Sequence, residues 1–281
     1  LGSNIQEIGS GVFNETPFAQ NSDFYENGIL YYDNYLLDFD RDWEYDFEIK
    51  EGITLMAEGA FFNESGKISE NYGSSLTNVT FPKSLTAISK FAFLDCEKLN
   101  RVEIPATITE IGDYAFGYCN FTNIIIPDSV VEIGGGVFYN CVKLKSIKLP
   151  LYISALTYSY DETICEPQVI GFFENCKSLA SIELPDGLKK LGDSCFANCE
   201  ALKCINIPKS VTDICDNCFV YCTHLSSLII PNSVRNIGCN IFDNCASLFV
   251  LVIGNNIEQF GDNDFIGCES LQQIIVPEIK H

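Results

Sequence analysis

Hydrophobic residues recur along the chain with a period of about 23 residues. Successive repeats, aligned on their prolines, are spaced by 22 or 23 residues, apart from one gap of 35 between Pro150 and Pro185. The frame C-x-x-L-x-x-I-x-I-P-x-x-V-x-x-I-G-x-x-x-F-x-x-C returns about eight times, and one copy reads CEKLNRVEIPATITEIGDYAFGYC (96–119). One such unit cannot bury both of its apolar edges, whereas stacked units share a core, so the pattern predicts a solenoid.

Each repeat contains three apolar segments. Before the Pro, Val102 and Ile104 are predicted to point inward, and Arg101 and Glu103 outward, which is the alternation of a short strand. Pro ends this strand because it has no N–H for the ladder. The V-x-x-I-G segment supplies a second inward edge, and F-x-x-C has room for one helical or 3-10 turn. We therefore predict an α/β repeat of roughly ten turns with a parallel sheet along one face.

Three segments depart from the period. About twelve extra residues, TYSYDETICEPQ (157–168), are predicted to form a loop after Leu156, and about nine surround residues 65–73. The largest insertion, 14–46, contains aromatic-rich runs around turn residues, DFYENGILYYDNYLLDF (23–39), which predict one or two β-hairpins. We interpret residues 1–281 as a single solenoid with these insertions.

The repeat frame, together with the inserted F-Y-E-N-G-I-L-Y hairpin, resembles the BspA-like subclass of leucine-rich repeats over nearly the whole chain. This resemblance implies a right-handed horseshoe with its parallel strands on the concave side. It also implies a location on the surface of a bacterium or parasitic protist, where members bind host matrix proteins or other cells. Because leucine-rich repeats serve many partners, an intracellular scaffold for protein–protein interaction is the alternative.

Composition narrows the partners. Acidic residues outnumber basic ones by 38 to 17, a formal charge of −21, which argues against nucleic acid or an anionic membrane as the main ligand. No apolar run approaches the ~18 residues of a membrane span. The sequence has no start methionine and no basic, apolar leader, so we interpret it as a processed or excised chain. A cell-surface or secreted location is expected, with a cytoplasmic one as the alternative.

The fourteen cysteines are mostly in phase with the repeat. A column at constant phase points into the core, where Cys behaves as a small buried hydrophobe, so reduced packing is favoured over disulfides between neighbouring turns. Cys204 has the outward phase of its strand and is predicted to be a free thiol or a pairing partner. The column itself consists of Cys96, Cys119, Cys141, Cys176, Cys199, Cys222, Cys245 and Cys268.

Candidate chemistry is sparse. The run CDNCFVYC (215–222) resembles a metal knuckle, but zinc needs a second such pair, so no metal site is predicted. With only His224 and His281 as histidines, a nucleophile has no evident base. The GGG at 134–136 lacks the lysine of a phosphate-binding loop. We predict neither an enzyme nor a cofactor.

The strongest local charge pattern is DFDRDWEYDFE (38–48), in which acids occupy every even position. An extended strand would place six carboxylates on one face. Carboxylates spaced ~7 Å apart along a strand do not converge on one cation. A solvated acidic face is therefore favoured, and an electrostatic contact surface is the alternative.

The outward residues of the strands are the candidate binding surface for a protein ligand. In the first six turns they are mostly polar. In the last three an apolar stripe is predicted, which marks a partner surface or a site of self-association. The alternatives are that β-branched residues simply favour strands, or that a further segment covers the stripe. The candidate residues are Arg101, Glu103, Lys148 and Glu183 on the polar part, and Ile229, Phe249, Val250, Val252 and Ile275 on the stripe.

Overall fold

The described residues of the computed structural model form a β-solenoid of about nine turns with parallel sheets and little helix. Successive turns are stacked so that each contacts its neighbours through three edges. The structure describes residues 5–9, 12–13, 16–26, 29–39, 44–61, 75–161, 168–262 and 265–276.

Twenty-one strands, most of them two to four residues long, are present among these residues. In chain order they are β1 (Tyr25–Glu26), β2 (Ile29–Tyr32), β3 (Tyr35–Phe39), β4 (Glu44–Glu48), β5 (Leu55–Met56), β6 (Ser75–Thr80), β7 (Ala87–Ile88), β8 (Arg101–Glu103), β9 (Glu110–Ile111), β10 (Asn123–Ile125), β11 (Glu132–Ile133), β12 (Ser146–Lys148), β13 (Ala155–Leu156), β14 (Ser159–Asp161), β15 (Gln168–Ile170), β16 (Lys190–Leu191), β17 (Asp213–Ile214), β18 (Ser227–Ile230), β19 (Asn236–Ile237), β20 (Val250–Ile253) and β21 (Gln273–Ile275).

The first edge of the solenoid is the ladder of strands that precede each Pro. It comprises the parallel sheets β4-β6-β8, β10-β12 and β18-β20-β21, as the period-two alternation predicts. The ladder is interrupted between β8 and β10 and, over a longer stretch, between β12 and β18. There the next turn is joined only by a single bridge between Lys148 and Glu183, and residues 203–206 lie outside any strand.

The second edge is formed by the V-x-x-I-G segments. Their two-residue strands make the parallel sheets β7-β9-β11 and β13-β16-β17-β19. Glycine follows because the turns approach closely here: a Cβ on Gly192 would lie 2.5 Å from the carbonyl oxygen of Leu156. The predicted second inward edge is thus a second sheet.

The third edge corrects the prediction of helical turns and of an α/β class. The F-x-x-C segments are non-helical turns, and in the described part of the chain the helices are only α1 (Pro17–Gln20) and a 3-10 helix (Ser22–Phe24). A helix is prevented because Asn198 and its equivalents have positive φ, 57° at Asn198. The backbone N–H of Phe196 also donates to the carbonyl of Cys218 in the next turn, at 2.8 Å.

The core is organised by two side-chain columns from this third edge. Phe rings of neighbouring turns are stacked, as Phe196 is on Phe173 at 5.5 Å and on Phe219 at 5.6 Å between centroids. The column cysteines lie beside them, and each thiol donates to a Phe carbonyl of an earlier turn; Cys199 does so to Phe173 at 3.2 Å. Burial raises the pKa of Cys199 well above its ordinary value, so this thiol is a neutral donor.

The chain from Tyr25 to Phe39 forms two consecutive hairpins, β1-β2 and β2-β3. β3 then pairs parallel with β5, which attaches these strands to the second edge of the solenoid. They enclose a small separate core in which Leu30, Tyr35 and Leu37 pack with Ile8.

The insertion predicted as a loop at 157–168 has strands at its two ends, where β14 and β15 pair antiparallel. Residues 162–167, between these strands, lie outside the described residues. The hydroxyl of Ser159 donates to Asp113 at 3.2 Å, which fixes the start of β14 to the second edge. The extra residues at 65–73 lie outside the described residues.

Candidate binding surface

The outward side chains of the first ladder lie two and four positions before each Pro or its equivalent, and we call them the strand face. It is mostly polar over its first turns and mostly apolar over its last three. It consists of Asp46, Glu48, Asn78, Thr80, Arg101, Glu103, Asn123, Ile125, Ser146, Lys148, Ser181, Glu183, Cys204, Asn206, Ser227, Ile229, Val250, Val252, Gln273 and Ile275.

The structure brings the predicted apolar residues together on β18, β20 and β21. Ile229 lies beside Val252, and Val252 beside Ile275, in the register of the parallel sheet. Val250 lies two residues before Val252, at the start of β20, and Phe249 immediately precedes that strand. We call these five residues the apolar stripe.

The apolar stripe is accessible to a partner. Ile229 is 63% exposed, Phe249 44% and Ile275 43%, while Val250 and Val252 are half-buried between them. The alternate residues of the same strands, Leu228 and Leu251, are buried in the core. The stripe is therefore a second apolar surface that packing within the solenoid leaves open to solvent.

The polar part of the strand face carries exposed charges with weak internal partners. Nη2 of Arg101 lies 3.4 Å from Oε1 of Glu103, and Nζ of Lys148 lies 3.8 Å from Oδ2 of Asp128. Exposed pairs of this kind contribute about 0–1 kcal/mol, so a ligand can exchange them at little cost. Glu183 has no salt bridge among the described residues.

Two clefts run across this polar part. One, of about 710 Å³, is lined by residues of β8, β10 and β12, including Arg101 and Glu103. The other, of about 780 Å³, includes Glu183 and Asn206. Lys148 lines both clefts, so the two clefts adjoin, and the four predicted polar residues line one or the other; we call the two clefts together the polar groove.

The repeat predicts a strand at Phe47 and Ile49, but the outward residues of this turn were left out of the candidate binding surface. β4 pairs in register with β6, so Asp46 lies beside Asn78, and Glu48 beside Thr80. The signal was present but masked, because Lys50 stands where the other turns have Pro. Part of the acidic pattern therefore belongs to the strand face; Asp40 and Asp42 lie outside the described residues.

The cysteines are arranged largely as their phase predicts. All thirteen that the structure describes are free thiols, and those of the main column are buried except Cys268, which is half-buried. Cys204 is exposed on the strand face. Burial raises the pKa of Cys215 to about 12, in spite of the nearby Lys190 ammonium, so this half-buried thiol is not activated.

No constellation for metal or acid–base chemistry is found among the residues described. They contain no group of three or more His, Cys, Asp or Glu side chains that could hold a metal ion. The exposed ring of His224 has Nδ1 2.7 Å from the carbonyl oxygen of Glu200, a backbone contact. None of the helices within the described ranges is long and apolar enough to cross a membrane.

The repeat architecture has a counterpart among known families. The model of the BspA type leucine rich repeat region matches residues 67–163 and 170–280 with six copies. The chain belongs to this family. Among curated protein sequences, none matches the chain. Membership accounts for the parallel ladder that carries the strand face, while leaving the ligand undetermined.

Several solved bacterial structures are similar to the chain, and a leucine-rich repeat protein among them shares its fold. One from Bacteroides ovatus is 25% identical over 89% of this chain and 67% of its own, with a TM-score of 0.64. A cell-surface protein from Faecalibacterium prausnitzii is 18% identical over 91% of this chain and 95% of its own, with a TM-score of 0.47. The pneumococcal vaccine antigen PcpA is 20% identical over 91% of this chain and 88% of its own, with a TM-score of 0.43.

Proposed function

We propose that the chain is a non-enzymatic protein-binding module displayed at a cell surface, where its strand face adheres to a host-cell or extracellular-matrix protein. The observation that carries the proposal is the exposed apolar stripe on β18, β20 and β21. Exposed apolar patches of this kind mark partner surfaces, because burying them in an interface removes apolar area from water. The surface location and the concave position of the strand face are implied by the BspA-type family.

The polar groove and the apolar stripe would have different roles in binding. The side chains of Arg101 and Glu103 are 73% and 87% exposed, so their charges remain available to a partner. Exposed charges of this kind set orientation and association rate more than affinity. The apolar stripe would therefore anchor the ligand, and Arg101, Glu103, Lys148 and Glu183 would select it.

The test compares two matched substitutions on the strand face. Ile229 and Ile125 occupy the same position of the repeat and are 63% and 64% exposed, but only Ile229 belongs to the apolar stripe. The purified chain is first screened against immobilised matrix and cell-surface proteins. Ile229→Asp should weaken binding to any protein so captured at least tenfold, whereas Ile125→Asp should weaken it less than threefold. Equal effects of the two changes would contradict the assignment.

An intracellular scaffold that uses the same strand face is the second candidate. It is favoured by the thirteen free cysteines, since reduced thiols in this number are typical of a cytosolic protein. Free thiols can be counted on denatured, unreduced protein from its native source. Only one of the two possible results distinguishes a secreted protein from an intracellular one. Several disulfides would support secretion, whereas fourteen free thiols would leave both locations open.

A further inference from the structure

The polar groove coincides with the two places where the first ladder is interrupted. Its first cleft is lined by β8 and β10, which do not pair with each other, and its second by β12 and the turn of Glu183, which one bridge joins to β12. Residues 204–206, of which Asn206 lines the second cleft, form no backbone hydrogen bond within the described part of the chain. Backbone donors and acceptors without a partner in the fold bond to water or to a ligand. The groove therefore presents peptide groups as well as side chains for hydrogen bonding.

Neutral side chains that donate and accept hydrogen bonds are placed along the whole groove. They are the amides and hydroxyls of Asn123, Ser146, Ser181 and Asn206. Each of them can donate as well as accept, whereas a carboxylate only accepts and an ammonium only donates. A ligand group that also does both, such as a hydroxyl, can bond to every one of them.

The charged side chains of the groove nearly cancel. Its two cations, Arg101 and Lys148, stand against three carboxylates, Glu103, Glu183 and Asp186, so the groove carries −1 while the whole chain carries −21. Each cation also lies near a carboxylate, at 3.4 Å for Arg101 and 3.8 Å for Lys148. A field this small does not attract a strongly charged ligand of either sign, so the ligand that fits is polar and neutral.

An exposed aromatic ring borders the second cleft. Leu151 lines that cleft and is 53% exposed, and the adjacent Tyr152 is 72% exposed. Tyr152 lies two positions after Pro150, where the next turn has Gly187, so no side chain of that position stands beside the ring there. The other turns also have smaller residues at this position, namely Gly52, Ser84, Thr107, Ser129, Ser210, Ser233 and Asn256.

We propose that the polar groove binds a neutral oligosaccharide. A pyranose ring has hydroxyls around its edge and C–H groups on its faces, so it can bond to the amides, hydroxyls and free peptide groups of the groove and stack on Tyr152. The clefts, of about 710 and 780 Å³, are in the range of roughly 300–1,000 Å³ that small-ligand sites occupy. This inference rests on the proposed function in taking the strand face as the binding surface. The ligand is then a glycosylated protein whose glycan lies in the polar groove and whose polypeptide lies on the apolar stripe.

The test applies the purified chain to an array of immobilised oligosaccharides that includes neutral, sialylated and sulfated members. We expect binding to neutral members. Tyr152→Ala should weaken this binding at least tenfold, and Asn206→Ala at least threefold. Tyr221→Ala is the matched control, because Tyr221 is 48% exposed but lies on the third edge and lines neither cleft, and it should change binding less than twofold.

Three outcomes would overturn the inference: no neutral oligosaccharide is bound, only sialylated or sulfated members are bound, or Tyr152→Ala and Tyr221→Ala have equal effects. Each variant is first shown to have the circular dichroism spectrum of the parent chain, and Asn206→Ala decides alone if Tyr152→Ala does not fold.

A second variant separates this inference from the proposed function. Ile229→Asp alters the apolar stripe but neither cleft, so it should leave binding to free oligosaccharides unchanged while it weakens binding to a captured protein. Loss of the oligosaccharide signal alone would refute the glycan site, whereas an unchanged affinity of Ile229→Asp for protein would refute the role of the stripe.

Discussion

The stacked Phe rings are expected to contribute strongly to the free energy of unfolding, because they join neighbouring turns. Phe196 is completely buried, and its ring is stacked on the rings of both neighbouring turns. Phe196→Ala removes this ring from a turn whose second and third edges are hydrogen-bonded to both neighbouring turns, so the site cannot collapse fully. Substitutions of this kind cost about 3–5 kcal/mol, including the loss of two ring contacts of about 0.5–1.5 kcal/mol each. We expect the upper part of that range.

Urea unfolding followed by circular dichroism measures the loss. Tyr152→Ala is the matched control, because Tyr152 is also aromatic but 72% exposed, and its removal should change the free energy of unfolding by less than about 0.5 kcal/mol. A separate early transition for the Phe196→Ala protein would indicate that the solenoid divides at this turn. A loss below about 1 kcal/mol would refute the view that the ring column is close-packed.

Two other predictions concern the close approach of turns and a carboxylate. Gly238→Ala should destabilise the chain by more than about 1 kcal/mol, because its Cβ would lie 2.5 Å from a backbone nitrogen of the preceding turn. Gly187→Ala is the control and should be tolerated, because the backbone atom nearest to its Cβ would be 3.6 Å away. Thermal unfolding of both variants measures the difference. Hydrogen bonds from Thr212 and then Asn236 lower the pKa of Asp213. That stabilisation is present above the unfolded pKa, about 4, and is lost as the pH falls through the folded value. In acid titrations Asp213→Asn should therefore flatten this part of the stability profile, and an unchanged profile would contradict the assignment.

The strands before each Pro and the inward Phe and Cys columns could be predicted because a repeated phase reports burial directly. The F-x-x-C turns could not, since a helical turn and a left-handed turn have the same inward residues. What decides between them is that the N–H of Phe196 bonds to Cys218 in the next turn, a long-range contact. The pairing of β14 with β15 depends in the same way on contacts that the sequence of the insertion does not specify.

The candidate binding surface could also be predicted only in part from the sequence. The alignment of Ile229, Val252 and Ile275 could be predicted because a constant repeat length fixes strand register. The polar groove could not, because it arises from how neighbouring strands are spaced around Lys148. The strand at Phe47 and Ile49 could be predicted, but its outward residues were not assigned to the strand face, because Lys50 stands at the position of the Pro that marks the frame in other turns.

The unequal lengths of the turns have a consequence for how this molecule changes over evolutionary time. Backbone pairing in the second edge joins each turn to the turns before and after it, and the twelve-residue excess at 157–168 begins just beyond β13, while β13 and β16 on either side of it stay paired in register. A corner between edges is thus a place where new sequence can be inserted while the sheet of the second edge is kept. Duplication of a whole turn would instead lengthen the strand face by one position and shift the apolar stripe relative to the groove. Insertions at corners can change the surface around the strand face, and the number of turns can set the distance between the polar groove and the apolar stripe.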